Sequence, residues 1–220
     1  MEKKKILLLA TAVLLLTATF PISSVQLSTE KDLGIQPLFQ HKDTRMLCLR
    51  GCPLYGKHAW DSVHEVNSSD DVASCDHCKS YCAVASIAMI NHYYGGNISQ
   101  DRIINFLYRE VYHQNPENDL AHWGVSVDMT TKALSWALNG AEIYHEGYPN
   151  PWPFPKPSLE QIKQWIDSGR PILRQWLAHD TVIDGYDGEY LHVINPWTGT
   201  ESRIHYNDLD MYNRWIPPAN

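Results

Sequence analysis

The chain has 220 residues, 44% of them hydrophobic, with 18 basic against 25 acidic side chains and a formal charge of −7. That length is enough for one domain with a substantial core. The acidic balance disfavours nucleic acid and anionic lipid surfaces as partners.

Residues 1–24 read as a secretory signal peptide: Lys3, Lys4 and Lys5 open it, an apolar run from Ile6 to Leu16 follows, and Pro21, Ser23 and Ser24 end it. Its removal would take three lysines and one glutamate and leave a charge of −9. No second apolar run is long enough to span a bilayer, so a secreted protein without stable membrane insertion is expected. Residues 25–56 are polar and weakly patterned and read as a linker or short extension. The domain itself is expected over 57–220.

The five cysteines are Cys48, Cys52, Cys75, Cys78 and Cys82. Outside the cytosol four of them can pair, and an odd count leaves one reactive candidate. Helix position singles out Cys82. A four-thiolate zinc site on Cys48, Cys52, Cys75 and Cys78 is the alternative to disulfides, which the signal peptide favours. The disulfide pairing is open.

A helix is predicted over 81–94, with Val84, Ile87, Ile90, Asn91 and Tyr94 on one stripe and Gly95-Gly96 stopping it. Ser99 reads as the cap of a second helix carrying Ile103, Ile104, Leu107 and Val111. A third runs from Ser126 to Leu138 and ends at Asn139-Gly140. Residues 149–157 alternate proline with other residues and must be extended. Ser158 and Gln161 form a capping box for a fourth helix that ends at Gly169. Residues 171–177, 181–186 and 190–195 then read as strands. Helices followed by strands give an α+β fold, a helical half against a β half, with a cleft between them.

Cys82 enters its helix at the first turn, where unpaired N–H groups and the macrodipole favour a thiolate, the nucleophilic form. Such a nucleophile needs a base, and the base needs a group to orient it. Asp187-Gly188 reads as a two-residue hairpin turn. Counting outward from it pairs residues that sum to 375, which sets His179 opposite Pro196, beside Asn195. His179 is therefore the expected base and Asn195 its orienter. His192, mid-strand, is the competing base, and Asp180 or Asp184 could replace Asn195. The carboxylates of Asp184 to Glu189 would suit calcium, although a turn explains them better.

Tyr81-Cys82-Ala83-Val84-Ala85-Ser86, Tyr93-Tyr94-Gly95-Gly96, Gly185-Tyr186-Asp187, and His179 with Asn195-Pro196-Trp197 together resemble the papain-like cysteine peptidase superfamily, and within it the C39-like peptidases. The resemblance spans residues 74–200. It implies a two-lobed fold, with the cysteine helix in one lobe and an antiparallel sheet in the other. It also implies amide hydrolysis through a Cys82 acyl-enzyme, with His179 as general base and acid and the Cys82 N–H facing the oxyanion. A peptide or protein substrate follows, with no cofactor and no metal.

The chain departs from that pattern in places. No glutamine precedes the cysteine as a second oxyanion donor, which leaves Gln100, Gln175, His77 or Ser80 as substitutes. Ala83 stands where glycine is common, and Asp180 follows His179 where an apolar residue is common. Two other functions remain in view: a cell-wall peptide amidase, and a non-catalytic secreted binding module with a structural Cys82.

Overall fold

The computed structural model describes residues 29–40, 81–107, 125–147, 156–177 and 179–219. The signal-peptide reading, Cys48, Cys52, Cys75, Cys78, His77, Ser80, Val111 and most of the proline-rich stretch lie outside these residues. Four helices are described: α1 (Cys82–Tyr93), α2 (Gln100–Phe106), α3 (Val127–Ala137) and α4 (Leu159–Asp167). Seven strands form one sheet: β1 (Glu30–Asp32), β2 (Tyr144–Glu146), β3 (Ile172–Trp176), β4 (His179–Asp187), β5 (Tyr190–Asn195), β6 (Thr200–His205) and β7 (Asn213–Ile216).

The fold is α+β with an antiparallel sheet in the order β2-β7-β3-β4-β5-β6. β4 is the longest strand. Its first residues pair with β3, and its last three pair with β1 along the same edge. Residues 29–40, inside the stretch expected to be a linker, thus add a strand to the domain and bury Ile35 against its core.

The helix boundaries follow their capping chemistry. Ser99 and Ser158 accept hydrogen bonds from the N–H groups three residues on, Arg102 and Gln161, at 3.3 and 3.1 Å. α3 stops at Asn139 and Gly140, both at positive φ (57° and 83°), where only asparagine and glycine sit cheaply.

Strand alternation gives the sheet two apolar faces. Leu173, Val182, Ile194 and Trp215 point towards α1, α2 and α3. Ile172, Ile183, Leu191, Val193 and Ile216 point the other way, under α4. α1 is buried along ten consecutive residues, Cys82 to Asn91. Its alanines let it lie close on β4, while Ile87 and Ile90, fully buried, each contribute about 1.5–3 kcal/mol by leaving water. The Trp215 indole N–H donates to Thr131 Oγ1 at 2.7 Å and ties the sheet to α3. On the other face the Tyr186 hydroxyl donates to Asp167 at 2.7 Å and ties it to α4.

A register irregularity falls between Ile183 and Gly185 of β4. No described helix is long and apolar enough to cross a membrane.

Candidate active site

Cys82 is the first residue of α1 and is 4% exposed. Tyr81, at the N-cap position, offers no side-chain cap to the first turn. The thiol donates to Asp180 Oδ2 at 3.5 Å. Burial, then the Asp180 charge, push the thiol up to about 12. The N–H groups of Asp180 and Ala83 act in the opposite direction and do not prevail. The helix-terminus effect expected from the sequence is thus present but outweighed. Desolvation of an anion and a neighbouring carboxylate outweigh a few N–H dipoles. Asp180 is also raised, to about 7, by burial, with Cys82 and Gln175 opposing the shift.

His179 opens β4 and bonds through Nε2 to Asn195 Oδ1 at 2.8 Å. The Trp197 N–H also donates to that atom, at 2.9 Å. A backbone N–H requires an acceptor, so the atom is the amide oxygen. The His179 nitrogen facing it must then carry a proton. The neutral ring is the Nε2–H tautomer, and Nδ1 keeps the lone pair.

The expected register is corrected by one to two residues. Asp187 pairs with Tyr190, so the hairpin loop is Gly188-Glu189 rather than Asp187-Gly188, and beyond the irregularity Val182 pairs with Ile194. Continued to the strand end, this sets Asn195 opposite Thr181, and His179 shares their face. The expected pairing would have set Asn195 opposite Asp180 on the other face.

The site thus has two parts. His179 and Asn195 line a groove with Arg174, Trp176 and Thr181 on one face of the sheet. Asp180, the next residue, projects from the opposite face, where α1 brings Cys82 to it. Among the described residues no hydrogen bond joins His179 to Cys82.

The other sequence candidates separate clearly. His192 is buried mid-strand at 4% exposure, beside Glu201. Asp184 is fully buried at the β4 irregularity and is not at His179. Gln100 follows the far end of α1, where Asn91 Oδ1 accepts from the Ile98 N–H at 2.9 Å. The 12 residues of α1, at about 1.5 Å each, keep Gln100 from the thiol. Gln175 is the cross-strand partner of Asp180. Its Oε1 accepts from Asn213 Nδ2 at 2.5 Å, which leaves its NH₂ group as the donor towards Asp180.

Two participants escaped the sequence reading. Asp180 was weighed as an orienter of histidine and not as the partner of the thiol; its polar side chain, where an apolar one is common, was the available signal. Arg174 is 5% exposed and donates to the Asp210 carbonyl at 2.6 Å and Thr181 Oγ1 at 3.3 Å. Nothing in its local sequence separates it from a solvated arginine.

A family model described as the Peptidase C39 like family matches residues 57–218. No curated protein matches the chain. Two solved structures are similar. One is a provisionally assigned C39-like peptidase from Bacillus anthracis, at 13% identity and a TM-score of 0.45, covering 64% of this chain and 90% of the other. The second is a double-glycine-motif protease of an AMS/PCAT transporter in complex with its leader peptide. It is 17% identical at a TM-score of 0.42, covering 63% of this chain and 84% of the other.

Proposed function

The chain belongs to the Peptidase C39 like family, and on that premise we propose that it is a secreted cysteine peptidase that cleaves peptide or protein substrates through Cys82, His179 and Asn195. The observation that carries the assignment of roles is the His179–Asn195 hydrogen bond, with its polarity fixed by the Trp197 N–H. It leaves a basic Nδ1 at the start of β4, one residue from the group that touches the thiol.

In the reaction, His179 Nδ1 takes the Cys82 proton and the sulfur attacks the scissile carbonyl carbon. The Cys82 N–H, at an uncapped helix start, faces the developing oxyanion. Gln175, with its carbonyl held by Asn213, is the side-chain donor on the same face of the sheet. The imidazolium returns its proton to the leaving amine, and water then releases the acyl group. Asn195 holds the ring in the required tautomer throughout.

The buried thiol bonded to Asp180 is a resting state. Catalysis requires the His179 ring to replace the Asp180 carboxylate at the sulfur. Both residues follow the β3–β4 turn, where Leu177 is held at φ 51°, a strained conformation for leucine. The two-lobed arrangement of the superfamily belongs to this reading as well, with α1 in one lobe and the sheet in the other.

One observation favours a second reading, a secreted binding module with a structural Cys82: the thiol is buried and donates to Asp180. Incubating the mature protein with a mixed peptide library, with cleavage read by mass spectrometry, separates the two. Cleavage by the wild type and none by C82A supports the peptidase. No cleavage by the wild type, or equal cleavage by C82A, overturns it.

A further inference from the structure

Away from the thiol, Asp32 of β1, His192 of β5 and Glu201 of β6 bring one carboxylate oxygen each and a ring nitrogen to within 4.8 Å of one another. The acidic residues are exposed and alone would signify little. The buried groups beside them change that. His192 is 4% exposed, and neither of its ring nitrogens makes a hydrogen bond. Its Nδ1 lies 3.5 Å from Glu201 Oε1. Close to this cluster Asp184 is 0% exposed, with only backbone N–H groups, those of Ile35 and of Asp184 itself, facing its carboxylate. Burial, then the charges of Glu201 and Asp32, push Asp184 up to about 7, while the N–H of Ile35 and its own N–H oppose the shift.

Burying an imidazole whose one polar neighbour is a carboxylate at 3.5 Å is costly. Holding three carboxylates together adds repulsion, and a cation would remove both penalties. Gly185, opposite His192 beside the β4 irregularity, lets the ring approach. A Cβ at Gly185 would stand 2.8 Å from His192 Nδ1 and 2.6 Å from the Lys31 carbonyl oxygen.

We propose that Asp32, His192 and Glu201 bind one divalent first-row transition cation. Imidazole with carboxylates suits Mn²⁺ or Zn²⁺, whereas calcium sites are built from oxygen ligands. Bonds of about 2.1 Å bring ligand atoms within roughly 3–3.5 Å of one another. The exposed Asp32 and Glu201 side chains can close that gap. The bound cation would join β1 and β6 across the two strands between them, fixing the N-terminal strand on the sheet.

The test is Mn²⁺ titration of the EDTA-treated full chain, with free Mn²⁺ read by electron paramagnetic resonance. Thiolates are poor manganese ligands, so the chain's five cysteines do not compete. The expected result is one Mn²⁺ per chain, displaced by Zn²⁺, with a rise in unfolding temperature. The D32N/E201Q variant should bind at least about tenfold more weakly, the loss that even outer-shell partners produce, and should lose the thermal shift. Both substitutions are at the surface, and metal-free unfolding at the wild-type temperature verifies the variant's fold. Failure of the wild type to bind overturns the proposal. So does equal binding by the folded variant, which would reveal scattered surface carboxylates.

Discussion

The Cys82 thiol donates to the Asp180 carboxylate at 3.5 Å, out of water, and Asp180 is one residue along the chain from His179. After burial, this contact is the largest influence raising the thiol. It also makes Asp180 the residue whose replacement is most informative.

Replacing Asp180 by asparagine removes the like charge and keeps the size. Burial is the larger cause of the shift on Cys82. D180N should therefore lower the thiol from about 12 while leaving it above its ordinary 9.0. Iodoacetamide alkylation of Cys82 followed against pH reads this directly. An unchanged pH–rate curve would show that the carboxylate does not control the thiol.

The same pair predicts how stability varies with pH. Asp180 has a native value of about 7 against an ordinary 3.8, so between these pH values the native state holds more protons than the unfolded one. Its contribution is complete below 3.8 and is lost as pH rises through 7. Cys82 adds a loss of the same sign above 9. Urea unfolding of wild type and D180N across that range should show the wild type losing ground to the variant as pH increases. Parallel curves would refute the shift on Asp180.

Asn195 serves by accepting from His179. N195A should lower kcat with little change in KM, and N195D, which keeps an acceptor there, should recover much of the loss. H179A removes the base and should cost about 100–10,000-fold, the range of general acid–base catalysis. These rates are measured on whichever library peptide is cleaved fastest. Equal rates for N195A and wild type would remove Asn195 from the mechanism.

Ser158 caps α4 through the Gln161 N–H at 3.1 Å. S158A should cost about 1 kcal/mol of stability in urea unfolding and leave peptide cleavage unchanged. α4 packs on the same face of the sheet as His179 and Asn195 but does not line their groove, so a change in activity would point to coupling between α4 and that groove.

Local chemistry made some of the fold legible and tertiary contacts made the rest. Ser99, Ser158 and Asn139-Gly140 carry helix boundaries in their own side chains and backbone preferences, and α2, α3 and α4 follow them. β3, β4 and β5 are rich in apolar and β-branched residues and were expected within two residues at each end. β1 is Glu30, Lys31 and Asp32, three exposed charged residues that are a strand only because β4 offers them an edge. β6 is mostly exposed along its length and gives no apolar alternation. The Cys82 helix position was readable, but its raised value was not, because burial and the Asp180 contact are properties of packing. The pairing sum was off because Asp187-Gly188 has the composition of a turn while Asp187 stays in the strand.

The irregularity at Ile183–Gly185 acts as a parity change in the sheet. Downstream of it, paired residues sum to an odd number, and upstream to an even one. Carried through unchanged, the downstream count would send the Asn195 amide to the side of Val182 and Asp180 and leave His179 facing alone. The extra residue that brings histidine and asparagine together is thus in neither of them and contacts neither. A single deletion there should separate the pair while retaining every side chain of both, so the spacing along β4 is as much a determinant of this site as the residues themselves.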